Sequence, residues 1–120
     1  MPKQTFIVLS SPVAGREDEY NAWYDRYHMV EVVQFPGFVS AQRFRVDASN
    51  SRRATHTYAA VYEVESDDPA QSLADMWRRM AEGRFTPSDA IDTTSFVALA
   101  CTPITAKITP GEAAAMTKAI

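Results

Sequence analysis

The run Phe96-Val97-Ala98-Leu99-Ala100-Cys101 is apolar at every position. Successive side chains of a strand point to opposite sides, so a strand built from this run offers hydrophobic groups to both faces of its sheet. A second segment behaves alike, with Tyr58, Ala60, Tyr62 and Val64 alternating with Ala59 and Val61. A sheet of this kind has to be covered twice, and that requirement governs what the remaining residues must supply.

The rest of the chain supplies two more strands and two clear helices. Residues 4–10 are rich in β-branched and aromatic side chains and are closed by Ser11-Pro12 and Gly15, the marks of a first strand and a turn. A helix follows. Glu17, Asp18 and Glu19 suit the positive end of its dipole, and Tyr20, Trp23, Tyr24, Tyr27 and Val30 recur at three- and four-residue spacing until Pro36-Gly37. Residues 38–46 alternate as a strand, Phe38, Ser40, Gln42, Phe44 and Val46 on one side and Val39, Ala41, Arg43 and Arg45 on the other. The polar stretch 47–55, with Asn50, Arg52 and Arg53, reads as a mobile connection to a third strand over residues 56–65. Asp67-Asp68-Pro69 signals a second helix with the stripe Leu73, Met76, Trp77 and Met80, stopped by Gly83. Residues 84–89 are loop, and the fourth strand lies within residues 93–105. Beyond Pro110, Ala113-Ala114-Ala115-Met116 forms a short helix or frays.

The order β-α-β-β-α-β is the ferredoxin-like plan of an α+β domain, an antiparallel sheet with both helices on one face. We assign residues 1–105 to this domain and 106–120 to a C-terminal tail. Two helices cannot cover the second apolar face. The simplest cover is the same face of another copy, so the sequence predicts a homodimer whose sheets pack together, a dimeric α/β barrel.

Composition removes several alternatives. Twelve basic and fifteen acidic residues leave a net charge of −3, with no continuous basic patch for nucleic acid. The single Cys101 excludes an internal disulfide and fits a reducing, cytoplasmic setting, and within an apolar strand it reads as a small buried hydrophobe. The apolar residues 6–9 after Lys3 are too few for a signal peptide or a membrane span. His28 and His56 stand far apart with no metal-ligand spacing, and the four glycines each fit an element boundary rather than a phosphate loop. No metal and no cofactor are expected.

The segment Tyr20-Asn21-Ala22-Trp23-Tyr24-Asp25-Arg26-Tyr27-His28, with Phe35-Pro36-Gly37-Phe38 and the arginine-bearing strand to Phe44, resembles the EthD-like branch of the dimeric α/β-barrel superfamily. Similar sequences often carry proline two residues after the histidine, where this chain has Val30. The resemblance implies a ligand cleft inside each protomer, between helices and sheet, with the histidine as the candidate for proton transfer. Its wider relatives include polyketide cyclases, muconolactone isomerases, cofactor-free monooxygenases, haem-degrading enzymes and members without known activity.

At about 100° per residue His28 shares a stripe with Tyr24 and Tyr20, and Glu31 lies on its edge. An imidazole works as acid or base near neutral pH without a cofactor; the plainer role is bracing the helix end. Arg43 would steady anionic charge if its strand face meets the helices, whereas an arginine here is as readily paired with Asp or Glu. Tyr20, Tyr27, Tyr58, Tyr62 and Trp77 are either core or the walls of a flat pocket for an aromatic ligand. Taken with the resemblance, these residues imply a cyclase, isomerase or lyase acting by proton transfer on a phenolic or polyketide-like molecule, with His28, Tyr24 and Arg43 as the catalytic set. The alternatives are a non-catalytic binding dimer and a cofactor-free monooxygenase.

Overall fold

A computed structural model describes residues 1–49 and 53–119. It contains β1 (Lys3–Ser10), α1 (Glu17–Trp23), a π-helical turn (Tyr24–His28), α2 (Met29–Val33), β2 (Phe38–Arg45), β3 (Tyr58–Glu65), α3 (Pro69–Ala81), β4 (Val97–Cys101) and α4 (Pro110–Ala119). The four strands form one sheet in the order β2-β3-β1-β4, every neighbour antiparallel. This is the expected ferredoxin-like α+β arrangement, with α1 through α2 and α3 on one face. The expected connection 47–55 falls partly on Asn50, Ser51 and Arg52, which lie outside the described residues.

Local chemistry explains the elements. Asp68 caps α3, its carboxylate accepting the Gln71 N–H at 3.1 Å, and Pro69 fills the first turn, where its missing N–H costs nothing. Leu73 and Met76 of α3 are buried against the sheet. Gly37 turns the chain into β2 at φ 95°, and a Cβ there would stand 2.7 Å from Ser72 Oγ, so both conformation and space require glycine.

The register of β2 corrects the expected alternation. Phe38 pairs with Val64 but Ser40 already pairs with Glu63, so Val39 is an extra residue. A bulge of this kind re-aims what precedes it. Phe38 consequently joins Ala41 and Arg43 on the helix side instead of sharing a face with Ser40 and Phe44. It packs there with Phe6, Tyr62 and Val64 in the core.

The other face of the sheet is open in this chain. Phe44 is 44% exposed, Leu99 43% and Val97 38%, and the partly buried Ile7, Leu9 and Val61 lie among them. Cys101 is exposed in this chain rather than buried, because it lies on the face opposite the helices, where none of the described helices packs. Among the described residues no helix is long and apolar enough to cross a membrane.

Candidate active site

A cavity of about 270 Å³ lies between the sheet, the first helical segment and α3. Phe6 and Val8 of β1 and Tyr62 of β3 form its floor. Trp23, Tyr24, His28 and Val32 make one wall, Met76, Trp77 and Met80 of α3 another, and the loop from Gly83 to Phe96 the rim. Nearly all of this lining is aromatic or aliphatic, the usual composition of a site that selects by shape and places only a few polar groups.

The π-helical turn sets the pose of His28. In a regular helix Trp23 and His28, five residues apart, would point about 140° away from each other. The wider turn brings them to the same side, where the rings stack at 4.6 Å with 23° between planes. Tyr24 and Phe85 meet the imidazole edge-on at 5.0 and 6.4 Å. Single π turns inside α-helices occur often at functional sites.

The polar atoms in this aromatic box are few and unequally satisfied. His28 Nδ1 and Tyr62 Oη are buried and have no hydrogen-bond partner among the described residues. The Tyr24 and Tyr62 hydroxyls are near enough to influence each other's ionisation, but Tyr62 Oη is not in bonding geometry. Burial pushes the His28 pKa down to about 4, against the pull of the Glu31 charge in the opposite direction. Burial likewise pushes Tyr62 up to about 12 and raises Tyr24. At neutral pH the site therefore holds an uncharged imidazole and two uncharged phenols.

Glu31 does its bonding at the rim. Its carboxylate accepts the Thr86 N–H at 2.8 Å and the Thr86 hydroxyl, while Trp23 Nε1 donates to the Thr86 carbonyl at 2.9 Å. Arg16 pairs with Asp89 at 2.5 Å, and Ala90 accepts from Val13 N–H at 2.7 Å. The loop is thus tied to the first helical segment at several points around the mouth.

Neither the protein-family models nor the curated proteins contain a match to this chain. Solved structures do. An ethyl tert-butyl ether degradation (EthD) family protein from Bacillus halodurans aligns with a TM-score of 0.61 and 13% identity, over 87% of this chain and 100% of that one. A candidate monooxygenase from Shewanella loihica gives 0.58 and 18%, over 88% and 97%. The heme-degrader MhuD of Mycobacterium tuberculosis, with two hemes in its active site, gives 0.56 and 21%, over 87% and 98%. The chain has the ferredoxin-like fold of EthD-like proteins.

Of the residues singled out from the sequence, the cavity brings together His28, Tyr24, Tyr62 and Trp77. It does not include Arg43. That guanidinium donates to Asp25 (2.6 Å) and Asn21 (2.9 Å), with its buried Nε left without a partner among the described residues, and lies over the rings of Tyr24, Tyr58 and Tyr20 at 4.4, 5.2 and 5.4 Å. Tyr20 is fully buried and bonded to Ser10 at 2.5 Å. Tyr58 donates to Glu17 and accepts from Asn21 at 3.2 Å. Tyr27 is 49% exposed on the outer side of the helix. These four belong to the framework or the surface. Trp23, Phe85, Thr86 and Ile91 also line the cavity without having been singled out as site residues; the π turn and the rim hydrogen bonds that place them have no local signature in the sequence.

Proposed function

We propose that the protein is a small enzyme that moves a proton on an uncharged phenolic or polyketide-like molecule held in this cavity, with His28 as the proton acceptor. The observation that carries the reading is the pair of buried polar atoms without partners among the described residues, His28 Nδ1 on one wall and Tyr62 Oη on the floor of a mainly apolar cavity. Buried polar atoms without partners are costly, and a ligand that satisfies both recovers that cost. Tyr62, with Tyr24 beside it, donates to a ligand carbonyl or enolic oxygen.

The low basicity of His28 narrows the substrate. An imidazole with pKa about 4 removes a proton at a useful rate only from an already acidic position, such as the carbon between two carbonyls or a phenol. The lining has no lysine or arginine, so a carboxylate or phosphate would be left without a counter-charge. Haem, the ligand of MhuD, meets the same objection through its two carboxylates, and this lining does not fit it.

The open apolar face supports a symmetric homodimer, a second copy covering Ile7, Phe44, Val61, Val97 and Leu99 as the first covers its own.

Benzoylacetone, a neutral aryl 1,3-diketone, tests the chemistry. Its keto–enol interconversion breaks one C–H bond and forms one O–H bond, and is followed by absorbance. The protein is expected to accelerate it saturably, and His28→Ala to lose at least about tenfold in kcat with KM changed by less than about threefold. Binding without acceleration by either protein would make this a binding module. Oxygen uptake with a hydroquinone-like phenol would mark a cofactor-free monooxygenase.

A further inference from the structure

The segment beyond β4 leaves the body of its own chain. The radius of gyration is 17.1 Å and the longest extent 55 Å, where a compact chain of this length has a radius near 14 Å. Ile104 is 94% exposed, Ile108 61% and Met116 60%. In α4 every described side chain except Ala113 is exposed.

This segment nevertheless carries a well-built helix start. Thr109 Oγ1 accepts the Glu112 N–H at 3.1 Å and donates to the Glu112 carboxylate at 3.1 Å, with Pro110 in the first turn. A helix of this length is marginal in water without packing. A capped helix whose own chain gives it no surface needs a surface elsewhere.

We infer that residues 103–119 are an exchange arm that packs on a second copy of this chain. The arm leaves from β4, an edge strand whose Val97 and Leu99 lie on the open face, and carries two exposed isoleucines, Ile104 and Ile108, away from its own chain. The inference rests on the homodimer proposed above and adds which segment crosses to the partner. Lys107 and Lys118 are the only basic residues of the arm, too few to hold a membrane surface or nucleic acid. The small side chains of Ala113, Ala114 and Ala115 suit close approach to a packed protein surface instead.

Two chains, the full one and one ending at Thr102, are compared by light scattering over a dilution series, with hydrogen exchange followed at the α4 amides of the full chain. The expected result is a dimer at least about tenfold weaker in the shortened chain, and α4 protection that disappears as the full chain is diluted. Should the shortened chain not fold, the full-length variant with Ile104→Asp and Ile108→Asp, both exposed in the single protomer, is expected to weaken the dimer alike. Equal dimerisation by all forms would overturn the arm and leave the dimer standing. Protection of α4 that is the same at every concentration would place the arm on its own chain, also against the inference. A full chain that stays monomeric throughout would overturn the dimer, and the arm with it.

Discussion

The two sides of the Tyr24 ring make the most instructive contrast in the molecule. On one side Arg43 stacks at 4.4 Å, its charge met by Asp25 and its second amine by Asn21. On the other His28 meets the ring edge at 5.0 Å in a cavity where its Nδ1 has no partner. Both are polar groups among aromatics, and both were equal candidates for chemistry by residue type. The difference is one of place: Arg43 is paired with Asp25 and Asn21 outside the cavity, with only its Nε left without a partner among the described residues, whereas the unpartnered His28 Nδ1 and Tyr62 Oη belong to residues that line the cavity. Polar groups that satisfy one another hold a fold together, and those left unsatisfied in a cavity are available to a ligand.

The contrast can be broken or sharpened by experiment. The largest effect belongs to His28. Its pKa is about 4 in the fold and near 6.5 in the unfolded chain. Between these values the unfolded chain binds a proton that the folded protein refuses. Stability is therefore complete above pH 6.5 and falls as the pH drops toward 4, by about 3 kcal/mol at the bottom of the window. Urea titrations across this range, repeated with His28→Leu, should show that part of the slope vanish in the variant; an unchanged slope would mean His28 is not the group responsible.

Next comes Arg43→Ala, which leaves three tyrosine rings without their cation and Asp25 without its partner. A loss of about 2 kcal/mol in denaturant stability is expected, with benzoylacetone turnover per folded molecule held within about threefold. A collapse of turnover at preserved stability would move Arg43 back into the chemistry. The smallest effect is that of Tyr62→Phe. Deleting a hydroxyl with no protein partner should leave stability within about 1 kcal/mol and weaken binding of a neutral phenol such as 2-naphthol by about fivefold, measured by calorimetry.

Much of this arrangement was legible in the residues. The order of elements followed from hydrophobic periodicity, α3 from Asp68-Pro69 and its stripe, and the open apolar face from the unbroken run ending at Cys101. The site was legible in part, because the stripe rule put Tyr24 and His28 near one another. What escaped were departures from ideal periods. The extra residue at Val39 moved Phe38 across the sheet, and the π turn set His28 against Trp23. Cys101 is exposed in the single chain because it lies on the face that the chain's own helices leave open. Which acid pairs with Arg43 was not legible either: Asp25 lies 18 residues away on another element, and composition cannot distinguish a paired arginine from a free one.

The central claim is that a buried, neutral imidazole in the cavity accepts the substrate's proton. It is tested most directly by the pH dependence of kcat/KM for protein-catalysed enolisation of benzoylacetone. The rate is expected to be lost in His28→Ala and, in the unaltered protein, to stay flat from pH 7.5 down to about 5 before falling toward pH 4. A fall centred on the ordinary imidazole value of 6.5, or a rate equal to that of His28→Ala, would contradict it.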